Sequence, residues 1–297
     1  MPSKILIVGA EGQLGRVLQN GLSPMFNVVP TTRNPNLVSK NKRFVQKLDI
    51  TNFECVQNII KSESPNIIIN CAAITNVDEC ERNRKIAYDV NVGGVKNLVK
   101  ACSKNVKIIQ ISTDYVFDGT KGPYDEKDAT YPINYYGRTK LEAENFLKGS
   151  LIDFTIIRAS VLYGNQLNDK PNFFSWVYNS LKANNSINVV TDQVSNPVWL
   201  QTFIDTILNV IIYKAVGIYH LGSDDYISRY EFAVLIAKTF SLNQSLINPV
   251  DSKSVPFLAN RPQNSGLKTE KIVTELNIKT LSTSDSLNFI KNNYMSI

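Results

Sequence analysis

Hydrophobic residues in the first half of this chain occur in two alternating patterns, short continuous runs and longer segments with a helical repeat. Residues 4–8, Lys-Ile-Leu-Ile-Val, form a continuous run with β-branched side chains, which is typical of a strand buried on both faces. Leu14, Val17, Leu18 and Leu22 then recur at the spacing of one helix face. The same alternation predicts strands at 28–32, 43–47, 66–70, 107–111 and 154–158, and helices at 52–61, at 86–104 and around Tyr136.

Repeated strand and helix units predict an α/β fold with a parallel, doubly wound sheet of the Rossmann type. In the second half, helical patterns at 173–183, 202–213, 229–240 and 284–293 alternate with short strands and with loops rich in Asn, Ser and Pro. This pattern predicts a smaller α/β region at the C-terminal end that binds the substrate. We therefore expect a dinucleotide-binding domain over residues 1–160 and a substrate region over 161–297, with a soft boundary that interleaved segments would cross.

A glycine-rich turn connects the first predicted strand to the first helix. Gly9, Gly12 and Gly15 follow the spacing G-x-x-G-x-x-G. In such a turn the first glycine permits the tight bend, the second lets the backbone approach a pyrophosphate, and the third lets the helix pack closely on the strand. The phosphates then lie at the helix N-terminus, where free N–H groups and the helix dipole favour anions. A glycine triplet alone is weak evidence, but the strand before it and the helix after it indicate a dinucleotide site.

The residue at the end of the second strand bears on the choice of nicotinamide cofactor. An acidic residue about 20 positions after the glycines would bind the ribose 2′-hydroxyl of NADH and repel a 2′-phosphate. The strand at 28–32 is followed instead by Arg33, whose guanidinium suits a 2′-phosphate. We therefore expect NADPH, with NADH as the alternative if Arg33 is only a solvated loop residue.

Composition and charge favour a soluble cytoplasmic enzyme. The 297 residues are 43% hydrophobic, which suffices for a sizeable core, and no run approaches the roughly 20 apolar residues of a membrane span. The chain opens Met-Pro-Ser-Lys directly into the first strand, without the pattern of a signal peptide. The net charge of +6 comes from scattered Lys and Arg, so we expect no nucleic-acid or membrane partner.

The cysteines and the single histidine give no sign of a metal site or of a catalytic triad. Cys55, Cys71, Cys80 and Cys102 lack metal-ligand spacing, and His220 is the only histidine, so no metal site is expected. A Ser-His-Asp hydrolase is disfavoured because no nucleophile elbow accompanies His220, which we predict to be a half-buried residue of a strand at 217–221.

Two short segments contain the groups that carbonyl reduction needs. Tyr136 and Lys140 are four residues apart, so their side chains leave the same face of a helix. A neighbouring lysine cation is expected to lower the pKa of the tyrosine from about 10 towards neutrality, which makes the phenol a usable general acid. Ser112 and Thr113 follow the strand at 107–111 and place hydroxyls at the ligand-binding edge of the sheet. Other residues at or just past strand ends are candidates for the same reason: Asp49, Ala72, Ala73 and Arg158.

Five short motifs extend this pattern over nearly the whole chain. They are Asn-Cys-Ala-Ala at 70–73, Ser-Thr-Asp-Tyr-Val-Phe at 112–117, Tyr-Gly-x-Thr-Lys at 136–140, Asp-Gln at 192–193 and Arg-Pro-x-Asn-Ser at 261–265. With these motifs the chain resembles the extended short-chain dehydrogenase/reductases and, within them, the dTDP-4-dehydrorhamnose reductase family. The resemblance implies NADPH-dependent reduction of the 4-keto group of a nucleotide-linked 6-deoxysugar, dTDP-4-dehydro-L-rhamnose to dTDP-L-rhamnose, with this nucleotide sugar as the substrate partner.

The resemblance also implies a role for each motif residue. Tyr136 would protonate the developing alkoxide, Thr113 would hold the oxyanion, and Lys140 would bind the nicotinamide ribose as well as tune Tyr136. The implied cofactor site contains Gly9, Gly12, Gln13, Leu14, Gly15, Arg33, Asp49, Ile50, Ala72, Ala73, Thr75, Asn91, Ser112, Tyr136 and Lys140. The implied substrate site contains Thr113, Asp114 and Tyr115, together with Asn172, Phe173 and Arg261, which would face the nucleotide diphosphate.

Two departures from the family pattern leave the identity of the substrate's sugar undetermined. Val161 stands where the family typically has a tryptophan, and Ile74 stands where it has a histidine. The stretches 115–119 and 161–164 also resemble the regulatory β subunit of methionine adenosyltransferase. A dinucleotide-binding regulatory subunit without catalysis is therefore the main alternative. A sugar-nucleotide 4-epimerase is a further one, which Arg33 and the Arg-Pro-x-Asn-Ser motif disfavour. The sequence leaves the oligomeric state open, and a homodimer is compatible with it.

Overall fold

A parallel sheet forms the centre of the protein. The computed structural model describes residues 3–34, 45–164 and 172–294. In chain order the strands are β1 (Lys4–Val8), β2 (Asn27–Thr32), β3 (Gln46–Lys47), β4 (Ile67–Asn70), β5 (Lys107–Thr113), β6 (Phe154–Ala159), β7 (Leu162–Tyr163), β8 (Ile187–Val190), β9 (Val194–Ser195), β10 (Val198–Trp199), β11 (Gly217–Leu221), β12 (Ile227–Ser228) and β13 (Ile247–Val250). The helices are α1 (Gln13–Leu22), α2 (Phe53–Glu63), α3 (Val77–Arg82), α4 (Arg84–Tyr88), α5 (Gly94–Ala101), α6 (Tyr135–Lys148), α7 (Phe173–Lys182), α8 (Leu200–Ile212), α9 (Arg229–Thr239), α10 (Glu270–Leu276) and α11 (Thr283–Tyr294).

The main sheet has the strand order β3-β2-β1-β4-β5-β6-β11, and every neighbouring pair is parallel. The direction of chain progression reverses between β1 and β4, because the strands after β1 extend first to one side of it and then to the other. A doubly wound sheet binds ligands at such a switch point, in the crevice at the carboxyl ends of the strands. The α/β Rossmann fold predicted from the sequence is confirmed, and its crevice locates the site.

Both faces of the sheet are buried because its strands are continuously apolar. Ile5 and Ile7 of β1 pack on one face with Leu18 of α1 and with Phe203 and Ile207 of α8. On the opposite face α2, α5 and α6 cover a second cluster of buried residues that includes Leu6, Val56, Ile68, Leu98 and Leu147. Helices on both faces hold the strands in place, so the loops at the carboxyl edge project from a rigid base.

A smaller core lies in the C-terminal half. Phe174 of α7, Phe232 of α9 and Leu287 of α11 are fully buried beside the parallel pair of β8 and β13. This core carries α7 and α9, whose first residues, Phe173 and Arg229, line the crevice of the main sheet. The C-terminal region therefore supplies side chains to one end of the site.

The structure departs from the predicted elements in a few places. The predicted helix at 86–104 is interrupted by a π-helical turn, Asp89–Gly93, between α4 and α5. The hydrophobic pattern does not predict α3 and α10, because helices of six and seven residues contain too few apolar positions to show a repeat. Of the predicted strand at 43–47, residues 43–44 lie outside the described residues, and Gln46–Lys47 forms β3.

The chain beyond residue 160 contributes to the main sheet. It supplies β11, which pairs with β6 along its whole length. Interleaved segments therefore occur, while the division of the chain at residue 160 stays a prediction. His220 of β11 is fully buried rather than half-buried, because its ring lies between Arg158 and Phe117. Within residues 3–34, 45–164 and 172–294, no helix combines the length and the apolar character needed to cross a membrane.

Candidate functional site

The glycine-rich turn after β1 is a cradle made of backbone. Gly9 has a φ of +82°, in the left-handed region that favours glycine, and a Cβ there would lie 2.8 Å from the backbone N of Ala72. A Cβ on Gly15 would overlap the carbonyl oxygen of Gly9, so glycine lets α1 pack this close to the turn. Gly12 is the N-cap of α1 and has no capping side chain, which leaves the positive end of the helix open to an anion.

A cavity of about 200 Å³ begins at this turn and follows the ends of β1, β2 and β4. We call it the glycine-loop cavity. Arg33 borders this cavity as an exposed residue just past β2, where its guanidinium would contact a 2′-phosphate. Of the predicted cofactor residues, the glycine-loop cavity brings together Gly9, Gly12, Arg33, Asp49, Ile50, Ala72 and Ala73.

A second cavity of about 520 Å³ continues across the ends of β4, β5 and β6. We call it the Tyr136 cavity. It shares Gly12, Cys71 and Ala73 with the glycine-loop cavity, so the two adjoin, and we call them together the trench. Of the predicted site residues it brings together Gly12, Gln13, Leu14, Gly15, Ala73, Thr75, Ser112, Thr113, Asp114, Tyr115, Tyr136, Lys140, Asn172 and Phe173.

The trench fits a dinucleotide. The side-chain amide nitrogen of Gln13, at the start of α1, is buried and has no hydrogen-bond partner among the described residues. No acidic side chain stands in the first turn of α1, and Glu11, which precedes the N-cap Gly12, is the acidic residue next to the cradle. The cradle from Gly9 to Gly15 would hold a pyrophosphate, Arg33 would meet a 2′-phosphate, and Lys140 would hydrogen-bond the nicotinamide ribose.

Tyr136 and Lys140 project from the first turns of α6 into the Tyr136 cavity. Asn134 caps this helix, because its Oδ1 accepts a hydrogen bond from the backbone N of Gly137 at 2.8 Å. Nζ of Lys140 donates to the carbonyl oxygen of Ile111 at 2.6 Å. The helix therefore places a phenol and an ammonium group in the same cavity, as their spacing in the sequence predicts.

The pKa of Tyr136 is raised, so the prediction that Lys140 lowers it towards neutrality is wrong for this structure. Burial is the largest cause of the raised pKa, a hydrogen bond with Thr113 opposes it, and the nearby carboxyl group of Asp114 adds to it. Burial also lowers the pKa of Lys140 to about 8, against the charge of Glu144. Tyr136 is therefore a protonated phenol at neutral pH, which is the form that a proton donor requires.

A buried hydrogen-bond network lies behind the phenol. Oγ1 of Thr113 donates to Oδ1 of Asp114 at 3.0 Å, and Oγ of Ser265 donates to Oδ2 of Asp114 at 2.5 Å. Burial raises the pKa of Asp114 to about 6, although both hydroxyl groups and the charge of Arg229 oppose this change. Thr113 has a single hydroxyl proton, which it gives to Asp114 in this structure. An oxygen of a substrate would have to compete with Asp114 for that proton.

A buried ion pair fixes α6 to the sheet beneath Lys140. Glu144 lies one turn after Lys140, and its carboxylate accepts from Nη2 of Arg158 at 2.7 Å and from Oγ of Ser112 at 2.5 Å. Ser112 and Arg158 are register partners on β5 and β6, and Nη1 of Arg158 lies 3.4 Å from Nε2 of His220 on β11. The hydroxyl of Ser112, predicted to bind the cofactor, and the strand-end Arg158 are therefore committed to this internal network.

Arg229 is a cation of the Tyr136 cavity that the sequence motifs do not predict. It is the first residue of α9, its guanidinium carbon lies 5.2 Å from the ring centre of Phe173, and its charge acts on the phenol of Tyr115. A cation at a helix N-terminus opposes the helix dipole. The signal that the sequence offers is therefore an arginine placed inside a capping box, between Ser228 and Glu231.

Two predicted residues lie outside the trench. Asn91, in the π-helical turn, accepts from the backbone N of Ile74 at 2.8 Å and donates to Oγ1 of Thr139 at 2.9 Å. It ties the loop after β4 to α6 and does not line the predicted cofactor channel. Both Nη atoms of Arg261 donate to the carboxylate of Asp78, at 3.1 and 3.0 Å, and Arg261 lines a separate cavity. Arg261 therefore does not join the predicted substrate residues.

Known proteins resemble this chain over nearly its whole length. The family model described as the RmlD substrate binding domain matches residues 3–295. The dTDP-4-dehydrorhamnose reductase of Aggregatibacter actinomycetemcomitans is 35% identical over 289 residues, which cover 91% of this chain and 92% of the relative. The dTDP-4-keto-6-deoxy-D-glucose reductase of Streptomyces niveus is 32% identical, over 89% of this chain and 88% of the relative. The crystal structure of dTDP-4-dehydrorhamnose reductase from Bacillus anthracis in complex with NADP has a TM-score of 0.88 at 31% identity, covering 98% of this chain and 99% of that chain.

A parallel sheet with a glycine cradle, joined to a cavity that contains Tyr136 and Lys140, defines an oxidoreductase of the short-chain dehydrogenase/reductase class. The chain belongs to the family of the RmlD substrate binding domain, in which its motifs place it. The resemblance to dTDP-4-dehydrorhamnose reductases that the sequence predicts is thereby confirmed.

Proposed function

We propose that this protein uses NADPH to reduce the 4-keto group of a nucleotide-linked 6-deoxysugar, converting dTDP-4-dehydro-L-rhamnose to dTDP-L-rhamnose. The observation that carries the proposal is that the two cavities of the trench adjoin, since the glycine-loop cavity and the Tyr136 cavity share Gly12, Cys71 and Ala73. A dinucleotide held at the cradle would therefore extend to a substrate beside Tyr136. The reductase names of the two relatives and the NADP in the Bacillus anthracis structure support the same chemistry.

The reaction needs a hydride for the keto carbon and a proton for the keto oxygen. Bound NADPH supplies the hydride. Tyr136 gives its phenolic proton to the oxygen as negative charge develops there, so that the carbonyl becomes a secondary alcohol. The raised pKa of Tyr136 keeps this proton in place at neutral pH until the substrate accepts it. Thr113 would donate its hydroxyl proton to the same oxygen, in exchange for its 3.0 Å hydrogen bond to Asp114.

Lys140 supplies the positive charge beside the proton donor. Because its pKa is about 8, the ammonium group is mostly charged at neutral pH. A cation near Tyr136 favours the phenolate that forms when the phenol gives up its proton. The hydrogen bond from Nζ to the carbonyl oxygen of Ile111 holds the ammonium group at the edge of the Tyr136 cavity.

Val161 and Ile74 bear on which sugar is reduced. Val161 lines the Tyr136 cavity, in the position where the family typically has a tryptophan, so the flat aromatic wall is missing. Ile74 lines the glycine-loop cavity, in the position of the family's histidine. Since the Streptomyces niveus relative is named for a different 4-keto sugar, a test of this protein needs more than one sugar.

The deciding experiment follows NADPH oxidation by absorbance with the purified protein and a panel of 4-keto sugars. The panel contains dTDP-4-dehydro-L-rhamnose, dTDP-4-keto-6-deoxy-D-glucose and their UDP-linked counterparts, each tested with NADPH and with NADH. We expect the fastest turnover with dTDP-4-dehydro-L-rhamnose and NADPH, and chromatography should identify dTDP-L-rhamnose as the product.

Other outcomes would distinguish the alternatives. Turnover of none of the sugars would contradict the proposal and favour the dinucleotide-binding regulatory subunit, which should copurify with a synthetase. Isomerisation of a nucleotide sugar without net oxidation of NADPH would instead indicate the 4-epimerase.

We also place the reaction in the cytoplasm, as the sequence predicts, and we propose a homodimer, with which the sequence is compatible. Cell fractionation tests the first expectation, and light scattering of the purified protein tests the second. Recovery of the protein with the membrane fraction, or a monomeric mass, would contradict the respective expectation.

A further inference from the structure

Arg229 is a cation of the Tyr136 cavity that forms a direct ion pair with none of the described residues. Arg229 is half-buried, and its guanidinium lies over the ring of Phe173. Within the described ranges, the ion pairs of arginine involve Arg82, Arg84, Arg158 and Arg261, and none involves Arg229. A partly desolvated guanidinium that faces a cavity is an efficient site for an anion, because its planar fork of donors matches carboxylate and phosphate oxygens.

The other candidate cations near the substrate are already satisfied by protein groups. Lys140 donates to the carbonyl oxygen of Ile111 at 2.6 Å. Arg261 makes a bidentate ion pair with Asp78, donates to the carbonyl oxygen of Ala259 at 2.8 Å and stacks on a phenylalanine ring. To bind a phosphate, Arg261 would have to abandon this ion pair, which would leave the carboxylate of Asp78 without its partner.

The carboxyl group of Asp114 does not use the charge of Arg229 as a direct partner. Asp114 accepts from the hydroxyl groups of Thr113 and Ser265, while Arg229 acts on it only through a longer-range charge interaction. The guanidinium therefore retains donors that can turn to a ligand. Asn172, the N-cap of α7, lines the same cavity, and its Nδ2 has no hydrogen-bond partner in the part of the chain that the structure describes.

Arg229 and the proton donor line the same cavity, as the binding of one sugar nucleotide across both would require. In a 4-keto sugar nucleotide the reacting carbon and the carbon that carries the diphosphate lie on opposite sides of the pyranose ring. Tyr136 must therefore be separated from the cation that holds the diphosphate by about the width of a ring. The rings of Tyr136 and Tyr115 meet edge to face with centroids 6.0 Å apart, and the charge of Arg229 opposes the rise that burial causes in the pKa of Tyr115, so the guanidinium lies near this pair.

We propose that Arg229, and not Arg261, binds the diphosphate of the sugar nucleotide, with Asn172 beside it and the sugar ring spanning the gap to Tyr136. This inference rests on the proposed function for the identity of the ligand. It replaces the assignment of Arg261 that the resemblance implies, and it makes the first turn of α9 the element that sets the preference for nucleoside diphosphates.

The test measures the binding of dTDP and of thymidine to the full-length protein loaded with NADP, by isothermal titration calorimetry. Wild type should bind dTDP more tightly than thymidine. Arg229→Gln should weaken dTDP binding by about 10- to 100-fold and leave thymidine binding unchanged, because a charge-assisted hydrogen-bond pair is lost only with the diphosphate. The affinity of Arg229→Lys for dTDP should lie between those of wild type and Arg229→Gln. The KM for the sugar nucleotide should rise by the same factor, with a smaller change in kcat.

Matched variants separate this effect from a change of fold. Arg82→Gln removes an exposed arginine outside the trench and should bind both ligands like wild type. Arg229→Gln should retain the wild-type affinity for NADPH and the wild-type melting temperature. Wild-type affinity for dTDP in Arg229→Gln would overturn the inference. If only Arg261→Gln loses affinity for dTDP, Arg261 is the residue that binds the diphosphate.

The outcomes also separate this inference from the proposed function. If wild type turns over a 4-keto sugar while Arg229→Gln keeps its dTDP affinity, only the inference about Arg229 fails. If no sugar is reduced but dTDP binding depends on Arg229, the proposed reductase function is contradicted and the inference that Arg229 binds the diphosphate is supported. If wild type binds neither dTDP nor UDP, both are overturned.

Discussion

The two cavities of the trench are built in different ways. The glycine-loop cavity is formed within residues 8–90, by the glycine-rich turn and by residues at or after the ends of β1, β2, β3 and β4. The Tyr136 cavity is formed by side chains that meet across the fold. Asp114 accepts from Ser265, which is 151 residues away in the sequence, and Arg229 reaches the same cavity from the start of α9.

This difference shows which parts of a site a sequence can reveal. A backbone cradle requires glycine at fixed positions, so its geometry is visible as a local motif. A cavity of side chains depends on which distant segments pack together, so its motifs reveal the groups but not their partners. We therefore expect substitutions in the glycine-loop cavity to change cofactor binding and stability together. Substitutions in the Tyr136 cavity should separate catalysis, binding and stability from one another.

Tyr136→Phe removes the proton donor of the Tyr136 cavity and should have the largest effect. We expect kcat to fall by about 10²- to 10⁴-fold, which is the usual contribution of a general acid. The affinity for NADPH and the melting temperature should stay close to wild type, because the ring and its packing are retained. NADPH oxidation measures kcat, and fluorescence titration measures the affinity.

Tyr135→Phe is the matched control for this substitution. Tyr135 is the neighbouring residue on α6, its ring lies against Arg84, and it does not line the trench. This control should retain wild-type activity. A wild-type kcat in Tyr136→Phe would show that another group donates the proton and would remove the basis of the proposed mechanism.

Gly15→Ala disturbs the glycine-loop cavity at the closest approach of α1 to the turn. The added Cβ would overlap the carbonyl oxygen of Gly9 and lie 2.8 Å from Cα of Ala10. Because both contacts are with backbone, the helix has to shift, and we expect a stability loss of about 1–3 kcal/mol. The affinity for NADPH should fall at least about tenfold, since the N-terminus of α1 moves away from the phosphates.

Gly93→Ala is the control for the cradle, because a Cβ there would meet the carbonyl oxygen of Tyr88 at an ordinary 3.8 Å. Denaturant unfolding and NADPH titration compare the two variants. If Gly15→Ala loses stability but keeps wild-type NADPH affinity, the glycine serves only the close packing of α1 and the cradle does not hold the cofactor.

The fold could be predicted where the hydrophobic pattern is long and uninterrupted. The predicted and observed bounds of β1 agree at both ends, because the four residues after Lys4 are all apolar and buried and the glycine-rich turn follows them directly. The π-helical turn at Asp89–Gly93 could not be predicted, because the apolar repeat continues through it. The place of β11 in the main sheet could not be predicted either, since it depends on pairing with β6 from a distant part of the chain.

The site could be predicted only where local geometry determines it. Tyr136 and Lys140 share a cavity because four residues make about one helical turn. The pKa of Tyr136 was predicted in the wrong direction, because the sequence shows the neighbouring lysine but not the burial that dominates. Arg261 has the sequence context of a ligand-binding residue, yet its partner Asp78 lies 183 residues earlier and only the fold brings them together.

Asp114→Asn tests the buried network of the Tyr136 cavity through the pH dependence of stability. The pKa of Asp114 rises from 3.8 to about 6 on folding, so the native state binds more protons than the unfolded state between about pH 4 and pH 6. The stability of wild type should therefore fall across this window as the pH rises, relative to the uncharged variant. We expect Asp114→Asn to gain on the order of 2 kcal/mol over wild type between these limits.

Urea unfolding of both proteins at several pH values measures this difference. Asn is close to Asp in shape, and the hydroxyl of Ser265 can rotate to accept from its amide, so packing should be retained. A difference in stability that is constant from pH 4 to pH 7 would show that the carboxyl group of Asp114 does not titrate in this range.

Arg33→Gln tests the outer end of the glycine-loop cavity. There the proposed contact with the cofactor comes from the side chain of Arg33 rather than from the backbone. Arg33 is exposed, so solvent weakens its interaction with a 2′-phosphate, and we expect the KM for NADPH to rise only about tenfold. The KM for NADH should change little, because NADH has no 2′-phosphate. Since salt screens an exposed charge pair, the preference of wild type for NADPH should shrink as the ionic strength rises, and that of Arg33→Gln should not. An unchanged ratio of the two KM values in Arg33→Gln would show that the preference arises elsewhere in the cavity, and the charge at the end of β2 would lose its role in cofactor choice.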